Sequence, residues 1–313
     1  MGTLFVTRKE LAEGLKLPSN QRTRIVLVPK AICASLMGAA FDSNKTFLLP
    51  QCIPGLRLVH ELLVERPQAE LLVVAHTDAS GEPAVNDPLS LARAEMAQAW
   101  FKDDVDAWLA NYDAGVPKSQ RWGVREDNLM VRHMPGFDQR ERGASDRGTR
   151  TEDPISWFQR TRRLKVDGIA GRQTRRALVT EYFALARPSP SGNDDTEASA
   201  EAPDPPSVAV TAHGAGENYP LSVIQPILDA RKKKSSFTAA GRTPAPVEDD
   251  DEPLDRRVEF FVFSKETGIE PAPGAPDGPE YLQWVTDATL RREVIVEDTR
   301  LRLPVVEFAD VLF

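Results

Sequence analysis

Residues 71–94 read LLVVAHTDASGEPAVNDPLSLARA, and this stretch decides the fold. Its first part, Leu71–Ala75, is a continuous apolar run of the length of a buried strand. The run leads to an acidic residue, Asp78, after which the chain becomes polar. We therefore predict a strand whose carboxyl end delivers a carboxylate to the edge of a sheet.

A helix is predicted after this polar loop. Asp87 suits an N-cap and Pro88 suits the first helical position. Arg93 then follows Asp78 by fifteen residues. This layout can hold a carboxylate and a guanidinium side by side at the mouth of the sheet, where a ligand with both an ammonium and a carboxylate would fit. The competing interpretation is an internal salt bridge between the two side chains.

Composition excludes several classes of protein. The 313 residues are 41% hydrophobic, which is enough for two or more globular units. The net charge of −8 argues against a nucleic-acid partner, since phosphate binding needs a basic surface. No apolar run approaches the roughly 18 residues of a membrane span. We therefore expect neither a nucleic-acid partner nor a membrane span.

Metal and cofactor sites are also not expected. The two cysteines, Cys33 and Cys52, show no metal-ligand spacing and form no disulfide framework. His76 and His213 could join Asp78, but no third nitrogen or sulfur ligand is spaced for zinc.

The chain is organised as an α+β fold with an unrelated block in its middle. Strands are expected over 23–30, 31–37 and 71–75 and, much later, over 207–212 and 257–263, with helices over 55–66 and from 88 onward. Residues 118–186, here called the helical block, are helical in pattern and rich in arginine. Residues 187–206 have the composition of a disordered linker.

Two separate parts of the chain, about 31–112 and 207–264, resemble the OmpA-like peptidoglycan-binding domain. The resemblance rests on His76-Thr77-Asp78, Gly81, Asn86, Leu89-Ser90 and Arg93-Ala94, on Phe41-Asp42-Ser43, on the turn His213–Pro220 and on Asp255-Arg256-Arg257-Val258-Glu259. It implies a βαβαββ sandwich with the helices on one face of a mixed sheet. Two departures are Asp255, where the family has asparagine, and the long stretch 221–254 before it.

The helical block resembles another family. Phe158-Gln159, Leu164–Gly171, Thr174 and Ala177-Leu178 are similar to the three-helix peptidoglycan-binding domain found beside many cell-wall hydrolases. The implied organisation is an N-terminal segment 1–30, a first OmpA-like half 31–117, the inserted domain 118–186, the linker 187–206, a second OmpA-like half 207–264 and a C-terminal extension 265–313 of unknown role. The two resemblances concern unrelated folds, but both imply the same ligand, the polymer peptidoglycan.

The first resemblance also implies a ligand, because Asp78 and Arg93 match the residues that hold diaminopimelate of the peptide stem. Asp78 would accept from the ammonium, and Arg93 would clamp the neighbouring carboxylate. The amino terminus of the following helix would favour the same carboxylate through its dipole.

Three further site residues are predicted. Thr77 and Asn86 are suitable neutral hydrogen-bond partners. Arg256 or Arg257 would line the rim, and strand alternation lets only one of them face the site. We favour Arg256.

The predicted function is binding without catalysis. The tail 265–313 is short for a catalytic domain and contains no histidine or cysteine. The alternatives are an accessory, adaptor or cargo protein of a contractile injection system of the type VI kind, with a protein partner there, and, less favoured, a cell-wall hydrolase. The first 30 residues do not resemble a secretory signal. We therefore expect synthesis in the cytoplasm and action in the periplasm or wall after export by another route.

Overall fold

The computed structural model describes residues 2–6, 23–27, 31–37, 40–137, 153–187, 208–222, 224, 255–263, 274–297 and 300–302. The strands are β1 (Gly2–Val6), β2 (Thr23–Leu27), β3 (Ala31–Met37), β4 (Glu70–Ala75), β5 (Ala209–Gly214), β6 (Val258–Phe263), β7 (Ala288–Glu297) and β8 (Arg300–Arg302). The α-helices are α1 (Ile53–Val64), α2 (Pro83–Phe101), α3 (Val105–Leu109), α4 (Val124–Val131), α5 (Pro154–Thr161), α6 (Arg172–Ala184) and α7 (Glu280–Asp287). The predicted linker lies, except for Arg187, outside these residues.

The main sheet is mixed and combines strands from both sides of the helical block. Its order is β5-β4-β6-β3-β7-β8, while β1 and β2 form a separate parallel pair. Strand β6 runs antiparallel to both of its neighbours, β4 and β3. β5 is parallel to β4, and β7 is parallel to β3. The predicted α+β class with a mixed sheet is confirmed.

One face of the sheet carries the larger core. Alternate residues of β4 point to this face, as the period of two along a strand requires, and they are Leu71, Val73 and Ala75. They pack with the buried sides of α1 and α2, including Leu56, Val59, Ala94, Ala97 and Phe101. These two helices thereby fix the position of the loop that follows β4.

The other face is covered as well, which differs from the prediction of helices on one face only. Leu72, Val74, Phe261 and Phe263 lie there against α7, which contributes Tyr281, Trp284 and Val285. The reason is visible in β6, where all six residues are buried. A strand with apolar residues on both sides needs a cover on both sides. The C-terminal extension supplies that cover and also adds β7 to the sheet.

The helical block packs into the same core as the sheet. Trp122 meets Phe47 edge to face with ring centroids 5.1 Å apart, and Phe183 meets Trp108 in the same way at 4.8 Å. The hydroxyl of Tyr182 donates to Leu48 O over 3.0 Å. The two parts therefore share one continuous apolar interior.

Helix α2 begins one turn earlier than predicted. Pro83, not Pro88, takes the first helical position, and Glu82 is the N-cap with an extended backbone. The carbonyl of Glu82 accepts from the amides of Val85 and Asn86, which closes the additional turn. Pro88 is tolerated inside the helix because it and Ala84, whose carbonyl it leaves unpaired, are exposed to solvent.

Candidate ligand-binding site

A pocket of about 160 Å³ opens beyond the carboxyl end of β4. It is smaller than the roughly 300–1,000 Å³ of pockets for drug-sized molecules, so it fits the end of one side chain. Polar groups dominate its walls, which are formed by Ser43, Asn44, Thr77, Asp78, Ser80, Asn86, Leu89, Arg93 and Arg256. The structure thus brings all five predicted site residues to one place.

Asp78 lies three residues beyond β4 and is held by two contacts. Its Oδ1 accepts from the amide of Ser80 over 3.3 Å, and its Oδ2 lies 2.7 Å from Nη1 of Arg256. Both side chains are largely removed from water, with 9% and 15% of their surface exposed. The ion pair of Asp78 among the described residues is therefore with Arg256, and the predicted alternative of a salt bridge to Arg93 is wrong.

Arg93 comes from the middle of α2 and is 1% exposed. Its guanidinium donates to three backbone carbonyls: Nε to Lys45 over 3.0 Å, Nη1 to His76 over 3.4 Å and Nη2 to Asp42 over 3.1 Å. A guanidinium has five N–H donors. One donor on each terminal nitrogen therefore remains without a partner among the described residues.

The charge of Arg93 is maintained despite its burial. Desolvation lowers the pKa of its guanidinium to about 10, an effect that nearby Asp78 opposes. The group is still a cation at neutral pH. It also lies over the ring of Phe41, 4.9 Å from the ring centre, which favours the cation further.

The two consecutive arginines before β6 point to different places. Arg256 lines the pocket, as predicted. Arg257 is fully buried away from the pocket and donates from Nη2 to Tyr219 O and to the hydroxyl of Tyr281. The two arginines lie in a bend before β6, in which the amide of Arg257 donates to Asp255 O over 2.9 Å, and this bend accompanies the different directions of their side chains.

The two neutral residues that the sequence predicted at the pocket have different roles. Thr77 Oγ1 has no hydrogen-bond partner among the described residues and remains available. Nδ2 of Asn86 instead contacts Asp78 O, Ser80 O and a carboxylate oxygen of Glu217. Asn86 therefore fixes the loop that carries Asp78. The pocket is lined by Asn86, Leu89 and Arg93 of α2, and residue 88 lies inside this helix rather than at its start, where it was predicted.

The sequence-based prediction missed Ser43, Asn44, Ser80 and Leu89. Ser43 and Asn44 belong to a turn closed by the amide of Lys45 and the carbonyl of Asp42. Asn44 has a left-handed backbone with φ of 54°, a conformation that asparagine tolerates better than most residues. The sequence Phe41-Asp42-Ser43-Asn44 was the available signal, since it predicts a turn and forms part of the OmpA-like resemblance.

The two strand-end histidines lie away from Asp78. His76 Nε2 is 3.4 Å from Glu259 Oε2, and the ring of His213 packs on Trp284 of α7. Burial and the neighbouring Arg257 lower the pKa of His76 to about 4. Within the part of the chain that the structure describes, no cluster of three or more histidine, cysteine or acidic residues is arranged to hold a metal ion.

Comparison with known families gives a match over one segment of the chain. The family model described as "Putative peptidoglycan binding domain" matches residues 136–178, within the helical block. The search of curated proteins finds no match. None of the described helices combines the length and the apolar character needed to cross a membrane.

The matched segment contains α5, a tight turn and the first half of α6. The turn is organised by Gln159, which is 1% exposed. Its Oε1 accepts from the amides of Asp167 and Gly168, and its Nε2 donates to the Asp167 carboxylate and to Ile169 O. Gly168 has φ of 69°, which accounts for glycine at this position. Asp167-Gly168, which is part of the resemblance described above, therefore forms a turn that hydrogen bonds to Gln159 hold in place.

Proposed function

We propose that this protein binds peptidoglycan without cleaving it and grips the free end of diaminopimelate in the pocket beside Asp78. The family match within the helical block supports peptidoglycan as the ligand. The observation that carries the proposal for the pocket is that one carboxylate, of Asp78, and two guanidinium groups, of Arg93 and Arg256, line the same small cavity. This pattern is complementary to a zwitterion.

The proposed ligand matches the pocket in charge and size. The side-chain end of diaminopimelate carries an ammonium and a carboxylate on one carbon. The ammonium would contact Asp78, and the carboxylate would accept the two remaining N–H donors of Arg93. Arg256 would shift from Asp78 toward the ligand carboxylate, so that no buried charge loses its partner. Thr77 Oγ1 would supply a neutral hydrogen bond.

The sheet topology supports an OmpA-like sandwich interrupted by a second wall-binding domain. Strands β3 and β4 precede the helical block, β5 and β6 follow it, and all four join one sheet with α1 and α2 on one face. The connection between α2 and β5 is thus the place where the additional helices enter. Such a protein would act outside the cytoplasm, where its ligand is.

Binding to sacculi that contain diaminopimelate tests the proposal. Asp78→Asn and Arg93→Lys each remove a charge-assisted hydrogen bond worth about 1.5–3 kcal/mol, so retention should fall about tenfold to a hundredfold. Asp113→Asn, at an exposed aspartate, is the matched control and should bind like wild type. Sacculi with lysine in place of diaminopimelate lack the clamped carboxylate and should bind more weakly. Unchanged retention by both pocket variants would contradict the proposal.

Two further readings remain testable with the same protein. An accessory, adaptor or cargo protein of a contractile injection system could use the same pocket to reach the wall, and it would co-purify with a sheath or spike component. A hydrolase would give a lytic band in zymography on sacculi. We expect no such band, and its appearance would overturn the assignment of binding without catalysis.

A further inference from the structure

The loop that forms one wall of the pocket also holds Arg93 in place. Ser43 and Asn44 of this loop line the pocket. The carbonyls of Asp42 and Lys45, on either side of them, accept two of the three hydrogen bonds of the Arg93 guanidinium. The path of residues 42–46, here called the pocket loop, therefore sets the direction of the two remaining N–H donors.

Charged side chains of the pocket loop are bound by the helical block. The carboxylate of Asp42 forms an ion pair with Arg125 of α4. The ammonium of Lys45 donates to Arg121 O over 2.5 Å and lies 3.6 Å from a carboxylate oxygen of Glu126. Glu126 is 2% exposed and also accepts from the amide of Gly123, so its position is fixed by the start of α4.

The end of the pocket loop is attached to the block by a buried hydrogen bond. The indole nitrogen of Trp122 donates to Thr46 Oγ1 over 3.2 Å. That hydroxyl in turn donates to Asn111 Oδ1 over 3.1 Å. Thr46 and Trp122 are both 3% exposed. Contacts of this kind exclude water and restrict the backbone more than exposed ion pairs do.

We propose that residues 121–126 of the helical block are positioning residues for the pocket: they hold the pocket loop and, through its carbonyls, the guanidinium of Arg93. The inference rests on the proposed function of the pocket and adds a second role for the block, separate from any contact of its own with the wall. The direction of the two free donors decides whether a carboxylate is bound by both. An intact block is thus a condition for tight binding.

The first test changes the hydrogen bonds at Thr46. Thr46→Val keeps the shape but removes both bonds, whereas Thr46→Ser restores a hydroxyl. Calorimetric titration with a soluble L-Ala-D-Glu-diaminopimelate tripeptide should show about fivefold to tenfold weaker binding for Thr46→Val. For Thr46→Ser we expect binding within about twofold of wild type. Equal affinity of Thr46→Val and wild type would overturn the inference.

The second test changes the charged contacts from the side of the block. The double variant Arg125→Gln/Glu126→Gln should weaken binding of the tripeptide about threefold or more. Arg187→Gln removes another arginine–aspartate pair, with Asp103, away from the pocket loop. It serves as the matched control and should bind like wild type. Equal losses in both variants would mean general destabilisation and would also overturn the inference.

A readout without ligand separates this inference from the proposed function. The amides of Ser43 and Asn44 and the Nε–H of Arg93 should exchange with solvent faster in Thr46→Val and in the double variant than in wild type and Arg187→Gln. If wild type does not bind the tripeptide, the proposed function fails while exchange still reports on positioning. Unchanged exchange in both test variants would refute the positioning role.

Discussion

His76 is a buried base whose charged form the fold opposes. It is 1% exposed, and its Nε2 lies 3.4 Å from Oε2 of Glu259, which only partly opposes the effect of burial. Burial and the nearby charge of Arg257 lower its pKa to about 4, against about 6.5 for an exposed imidazole. The pKa values of His60 and His213 are lowered in the same direction, mainly by burial.

This shift predicts a loss of stability in mild acid. Between pH 6.5 and pH 4 the unfolded chain binds a proton that folded His76 does not, so the free energy of unfolding falls as the pH falls. For this group alone the decrease between pH 7 and pH 5 is about 2 kcal/mol. Urea denaturation at the two pH values measures it. Equal stability at pH 7 and pH 5 would contradict the buried, neutral state of His76.

At the scale of residues, the sequence predicted which side chains meet but not how they bond. Asp78, Arg93 and Arg256 were brought together by two short motifs, and all three line the pocket. Their actual partners depend on the backbone path of the pocket loop and of the segment before β6, which no local pattern encodes. Arg93 therefore bonds to carbonyls, and Asp78 bonds to Arg256.

Helix α7 is attached to the sheet by a buried polar contact as well as by apolar packing. The hydroxyl of Tyr281 donates to Glu259 Oε2 over 2.6 Å and accepts from Arg257 Nη2 over 3.0 Å. Both charged residues are fully buried. Helix α7, which lies in the C-terminal extension, thereby supplies a hydrogen-bond partner to two buried charged side chains. Arg257 directly precedes β6, and Glu259 lies within it.

Tyr281→Phe should accordingly destabilise the protein more than Tyr182→Phe. Both tyrosines are fully buried, and the substitution is the same. The first leaves a carboxylate and a guanidinium short of a partner, at about 1–3 kcal/mol, whereas the second loses one bond to a neutral carbonyl, at about 0.5–1.5 kcal/mol. Denaturant unfolding curves of the two variants give the comparison. The reverse order would contradict this role of α7.

At the scale of elements, helices and strands were predictable where a pattern is long and regular. β4 and β6 were predicted to within one residue at each end, and α1 to within two residues. The start of α2 was misplaced because the chain offers two prolines, each of which suits a first helical turn, and the choice is made by the backbone of Glu82. The residues of α7 alone do not predict that this helix covers the second face of the sheet. Its position depends on β6, whose side chains are buried on both faces.

The whole molecule has a core that crosses the boundary expected between the two wall-binding units. Tyr182 and Phe183 of the helical block pack on Trp100 and Trp108 with ring centres 4.8–5.9 Å apart. The sequence could not predict this, because each resemblance describes a separate fold. Residues such as Leu48 and Tyr182, which bond to each other, are 134 positions apart.

A shared core predicts a single unfolding transition. Tryptophan fluorescence and far-ultraviolet circular dichroism should give coincident urea curves. Phe183→Ala, at a residue 1% exposed, should shift both curves together and lower the free energy of unfolding by about 3–5 kcal/mol. Two separate transitions, or a shift in only one probe, would show that the block unfolds independently.

The position of β6 also sets the order in which the protein can be completed during synthesis. β3 and β4 are made early but do not pair with each other, because β6 lies between them. Arg256, which forms an ion pair with Asp78 at the pocket, is 178 residues further along the chain. A nascent chain that has not yet released residues 256–263 from the ribosome therefore has neither a central strand nor a complete pocket. Only a chain that extends past β6 can form the complete pocket, so a product that ends before residue 256 would lack both Arg256 and the central strand.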